Sequence, residues 1–254
     1  MRPHDPPRGK SPRQKDIEGE PDPIHIPLGE MIGQPQSDED RPSWRGWIHT
    51  GAIPFVIAGG ILLVIFADGA AAKIAAAVFF ASSLLLFGNS ALYHRFRWRP
   101  TVKRALKRID HANIFLLIAG TYTPISVAAL QTEKAIWLLG AIWAIAVMGI
   151  GFRVIWITAP RWLYVPIYLA MGWAAVVFIG DFFQANWVAM TLVVIGGACY
   201  SLGAVVYGLK RPNPSPKHFG FHEIFHALTV IAFVCHWCAA LLVSIDPLPG
   251  SLAG

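Results

Sequence analysis

Charge is scarce in this sequence. Only 14% of its 254 residues are Asp, Glu, Lys or Arg, while 55% are hydrophobic and ten are Trp. A soluble domain carries nearer about a quarter charged residues, and the mean hydropathy here is positive. That balance excludes a soluble globular class and indicates a membrane protein. Cysteine is scarce too. Cys199, Cys235 and Cys238 all fall inside apolar runs. Cys235-His236-Trp237-Cys238 is formally CxxC, but in a buried membrane helix it reads as small-residue packing rather than redox or metal chemistry. No internal repeat is visible. The first 30 residues lack an apolar core, so no cleaved signal peptide is expected. The last apolar run contains no lysine, which excludes a retinal Schiff base.

The hydrophobic residues are gathered into seven runs free of Asp, Glu, Lys and Arg, each 18 to 28 residues long. Each is long enough to cross a hydrocarbon core of roughly 30 Å as a helix. The expected fold is therefore all-α and polytopic, with a transmembrane domain over 44–246. Its seven helices are expected near 46–67, 74–94, 110–132, 135–152, 162–180, 183–209 and 222–245. Nineteen of the 21 Lys and Arg fall in residues 1–45, 95–108, 153–161 and 210–217, leaving only Lys73 and Lys134 on the other side. This asymmetry predicts a cytosolic N-terminus and an external C-terminus. It argues against a G-protein-coupled receptor, whose N-terminus is external. The net charge of +6 reads as topology and contact with anionic lipid headgroups, so membrane lipids are the expected partners and nucleic acid is not. Residues 1–43, with nine prolines, are expected to form a disordered cytosolic tail, and 247–254 a short external one. The sequence does not fix an oligomeric state.

Against this apolar background a few polar residues share one depth. The second helix runs inward to His94, the third starts inside at Asp110, and the seventh starts inside at His222, with His226 one turn on. His222 and His226 are i, i+4, about 6 Å apart along one helix face, and Ser90 and His94 repeat that spacing. Ionisable groups within membrane helices usually face a cavity, a partner or a metal. Three imidazoles suit Zn²⁺ and leave a fourth position open, so His94, His222 and His226 are the expected metal ligands. Asp110 is the expected proton acceptor or orienting group for a water at that position, with Ser90 holding the Asp, the water or a substrate oxygen. Asn113, His111 and Glu223 are expected around the ligands, while His49 and His236 read as helix-packing or supporting residues. Each group taken alone has a plainer reading: a headgroup-facing histidine, or an N-capping aspartate. Their common depth favours a site. His222-Glu223-Ile224-Phe225-His226 also matches the HExxH of zinc proteases. It lies on the last helix, however, where no third ligand can follow, and Glu223 is expected to face the basic cytosolic loop.

The segments SALYHRF, RIDHANIFLLIAGTYTP, PRWLYVPIYLAMGW and HEIFHALTVIAFVCHW resemble the hemolysin III proteins over roughly residues 45–243. That family belongs with the progestin and adipoQ receptors and, more distantly, the alkaline ceramidases. The resemblance implies seven helices with a cytosolic N-terminus, and a zinc site built from Ser90, His94, Asp110, His222 and His226. Two functions follow from it. One is a zinc-dependent, ceramidase-like hydrolase of lipid amide or ester bonds. The other is a non-catalytic membrane protein, a pore-forming cytolysin or a membrane-homeostasis regulator and lipid sensor, whose zinc is structural. The bacterial cytoplasmic membrane is the expected compartment.

Overall fold

A computed structural model describes residues 42–254; the tail expected over 1–43 lies outside them but for its last two positions. Among the described residues the chain is helical, without strands. Seven helices are long and apolar enough to cross a membrane: α1 (Trp47–Phe66), α2 (Gly69–Arg95), α3 (Pro100–Ala129), α4 (Thr132–Ile155), α5 (Arg161–Ala185), α6 (Trp187–Leu209) and α7 (Phe221–Ile245). Short connections make sequence neighbours antiparallel. α3 is the most enclosed helix, packed against α2, α4 and α7, with α1 and α6 flanking α7. Its core face includes Phe115, Leu117, Ala119, Ile125 and Ala128. Large side chains such as Phe55, Trp137, Ile155 and Trp162 stay exposed on the outer faces, as suits helices whose solvent is lipid.

Small residues let these helices approach closely. Gly120 of α3 lies against Ser82 of α2, so that a β-carbon there would run into the Ser82 hydroxyl. Ser82 and Ser83 turn their hydroxyls back onto the Phe79 carbonyl, satisfying them inside the helix.

The structure adds detail to the approximate helix bounds and to the C-terminal segment. α3 starts at Pro100 rather than 110, and α2 at Gly69 rather than 74. Charges end an apolar run without ending a helix, and a proline in the first turn of α3 is preset for helical φ. α5 is not one continuous helix over 162–180. It runs Arg161–Gly172, tightens into a 3₁₀ turn at Ala174–Phe178, and resumes over Ile179–Ala185. The Tyr122 hydroxyl of α3 causes the break, donating to the carbonyls of Met171 (3.1 Å) and Gly172 (2.9 Å) and accepting from the Ala175 amide (2.9 Å). A side chain inserted into the ladder replaces helical bonds at that point. Residues 247–254, finally, are folded back onto the protein. The Leu248 amide donates to Ala128 O at 2.8 Å and the Ala253 amide to Val127 O at 3.2 Å. These bonds satisfy the last carbonyls of α3, which its own helix leaves unpaired, at the end of α3 remote from Asp110.

Candidate metal centre

The imidazole cluster forms where α2 ends and α7 begins. His94 occupies the last turn of α2 and His222 the first turn of α7, while His226 follows one turn later on the same face. His94 and His226 are buried and His222 is half-buried, and each offers a ring nitrogen within 4.8 Å of the other two. The Nε2 atoms of His94 and His222 face each other at 3.3 Å. Two neutral imidazoles so placed share a proton or a metal ion. Four-coordinate tetrahedral binding with metal–nitrogen bonds of 2.0–2.1 Å sets ligand nitrogens about 3.3 Å apart. The donor set therefore fits a first-row metal ion that takes nitrogen ligands.

Asp110, on α3, stands beside this triad. Its Oδ2 lies 3.8 Å from His94 Nε2, and Ser90, one turn before His94 on α2, is close to its carboxylate. The remaining candidates are placed differently. Asn113 donates from Nδ2 to Leu85 O at 2.9 Å, tying α3 to α2. His111 bonds the Lys107 carbonyl through Nδ1 at 2.7 Å, and its ring meets Tyr164 of α5 edge-on. One residue beyond Asp110 is about 100° around the helix, which carries His111 to another face. His236 lies deeper, bonded through Nδ1 to Ala232 O at 2.8 Å.

Glu223 takes a structural position despite its place in HExxH. Its Oε1 accepts from Arg45 Nε at 2.6 Å and its Oε2 from the Gly220 amide at 2.9 Å, so it joins the start of α7 to the turn before α1. The Glu223 side chain is 1% exposed and that of Arg45 12%. Breaking such an enclosed pair leaves a buried charge unpaired, at a cost of about 3 kcal/mol. Glu223→Ala is therefore expected to lower the melting temperature clearly in detergent. An unchanged melting temperature would show that the pair contributes nothing.

His49, expected as a helix-packing or supporting residue, touches the centre. Its ring stacks on that of His226 at 3.8 Å, the planes 6° apart. The signal that could have found it was depth: α1 starts at the same end of the bundle, and His49 is its third residue.

Comparison with known proteins agrees with this picture. Residues 38–237 match the family model described as "Haemolysin-III related". The chain is 33% identical to the "Hemolysin-3 homolog" of Bacillus subtilis (strain 168), over 67% of its own length and 78% of that protein. It is 33% identical to "Hemolysin-3" of Bacillus cereus, over 58% and 68% of the two chains. A shorter stretch, 21% of this chain, is 39% identical to 19% of the "ADIPOR-like receptor IZH2" of Saccharomyces cerevisiae. The chain belongs to the haemolysin-III related family. Its seven apolar helices and its bacterial relatives make it a multi-pass integral membrane protein, with the bacterial inner membrane as its compartment.

Proposed function

We propose that this haemolysin-III relative is a zinc-dependent hydrolase of lipid amide or ester bonds, acting in the cytosolic leaflet. The observation that carries the reading is the triad itself. Three imidazoles converge on one point, two of them 3.3 Å apart, and a carboxylate stands beside rather than among them. Four protein ligands would be expected of a closed structural zinc site, whereas three leave a position open for chemistry. Bound there, zinc would polarise a lipid carbonyl as a Lewis acid and lower the pKa of a water at its open position. The chain supplies the rest. Asp110 offers a proton acceptor at the edge of the triad, and Ser90 fixes the direction of that carboxylate. The test is fatty-acid release from a panel of ceramide-like and ester lipids by zinc-loaded and metal-stripped protein.

The hydrolase reading places the triad on the cytosolic side, which the basic-residue asymmetry supports. A reporter fused after Gly254 is expected to behave as external, and one inserted within 95–108 as cytosolic. A cytosolic C-terminus would move the imidazoles to the opposite leaflet and overturn the orientation.

A second reading, a cytolysin or lipid sensor with structural zinc, draws on the name "Hemolysin-3" carried by a relative.

A further inference from the structure

His49 lies against the metal centre without belonging to its ligand set. It is 2% exposed, held between the edge of Phe87 at 4.9 Å and the face of His226 at 3.8 Å. The turn that carries it is registered on both ligand-bearing helices. Arg45 pairs with Glu223 of α7. Gly46, at φ 82°, abuts His94 and Arg95 of α2, where a β-carbon would come within 3.0 Å of the His94 side chain. Position 46 therefore needs glycine twice over, for its left-handed backbone and for the space. α1 is thus a third wall of the centre, and His49 is the side chain it presents to a ligand.

A histidine that binds metal is normally fixed by a hydrogen bond from its other ring nitrogen to a carboxylate, carbonyl or water. Neither ring nitrogen of His49 is tied to another side chain, and the residue it lies against is His226 itself, by ring and by backbone. Of the rings that meet His226, that of His49 is the one lying parallel and in face-to-face contact, at 3.8 Å. We propose that His49 is a positioning residue of the metal centre: by stacking, it sets the plane of His226 and so the direction in which that imidazole offers its nitrogen to the ion. The proposal rests on the three-histidine metal site described above.

The experiment follows metal release from purified, zinc-loaded protein into excess chelator, alongside the melting temperature of each metal-free form. Supporting residues around metal ligands are worth about 10- to 100-fold in affinity. His49→Leu, which removes the aromatic face, is expected to release zinc at least about tenfold faster than wild type. His49→Phe keeps the face without the nitrogens and is expected to release it close to the wild-type rate. If His49→Leu merely loosened the fold, the metal-free melting temperature would fall while the release rate, compared at equal distance below melting, would not change; that result overturns the proposal. So does a His49→Phe variant that releases zinc as fast as His49→Leu, since stacking would then not be what holds the ring. Loading His49→Leu with cobalt gives an independent readout, because a reoriented ligand changes the visible spectrum; an unchanged spectrum likewise overturns it. Wild-type protein that binds neither zinc nor cobalt removes the metal centre itself, an outcome distinct from all of these.

Discussion

Replacing His222 and His226 together by alanine is expected to leave the protein without metal, where the wild type carries about one zinc per chain. The expectation follows from geometry. Both residues project from one face of α7 toward His94, so the double variant leaves a single imidazole, which cannot hold the ion alone. Elemental analysis of the two purified proteins makes the comparison, and full zinc retention in the variant would end the assignment. The same substitution has a thermodynamic counterpart. An ion that joins α2 to α7 binds the folded state only, so it stabilises by an amount set by its concentration relative to Kd, about 4 kcal/mol at a thousandfold excess. Chelation should therefore lower the wild-type melting temperature and leave that of the double variant unchanged. Equal sensitivity of both proteins would mean that the chelator acts elsewhere.

How far the sequence could be read depended on the kind of signal. Long apolar runs are set by bilayer thickness, so the seven helices were legible from composition alone. Helix ends were less so. α3 begins ten residues ahead of its apolar run because the basic stretch from Pro100 to Arg108 continues the same helix, and charge-to-charge spacing carries no information about that. The break in α5 was invisible for another reason. It depends on Tyr122, a residue of α3 some fifty positions away, reaching into the α5 backbone; only tertiary packing brings the two together. The folded-back segment after Asp246 is of the same kind, since it exists to meet carbonyls at the end of α3. At the site, shared depth at one end of the bundle singled out His94, Asp110, His222 and His226 without any structure. Depth says nothing about azimuth, however. Asn113 and His111 lie at the right level, but they turn toward Leu85 and Tyr164. His49, at the right level and with the right azimuth, was readable only as a helix-packing or supporting residue, because no spacing pattern on its own helix said which ligand it would meet.

Asp110→Asn separates an enzyme from a protein in which the metal only staples helices. Asp110 is not gathered with the three imidazoles; it reaches them through His94, at 3.8 Å. Asparagine in its place keeps the size and a hydrogen-bonding partner for Ser90, but its amide accepts no proton at neutral pH and carries no charge. The variant is accordingly expected to retain its zinc and to fold, while fatty-acid release from ceramide-like or ester lipids falls by about a hundredfold or more, the range for loss of a general base. A structural metal site would be nearly indifferent to the change. The assay compares wild type, Asp110→Asn and metal-stripped wild type in detergent, with metal content measured on each sample. Asp110→Asn protein that loses its zinc would make the carboxylate a direct ligand and close the fourth position, which favours the structural reading. Wild-type protein that carries full zinc, hydrolyses nothing across a broad lipid panel and still permeabilises liposomes would replace the hydrolase by the cytolysin. Hydrolysis that needs both the metal and the Asp110 carboxylate would place the chemistry at the junction of α2, α3 and α7, where three imidazoles and that carboxylate lie close together.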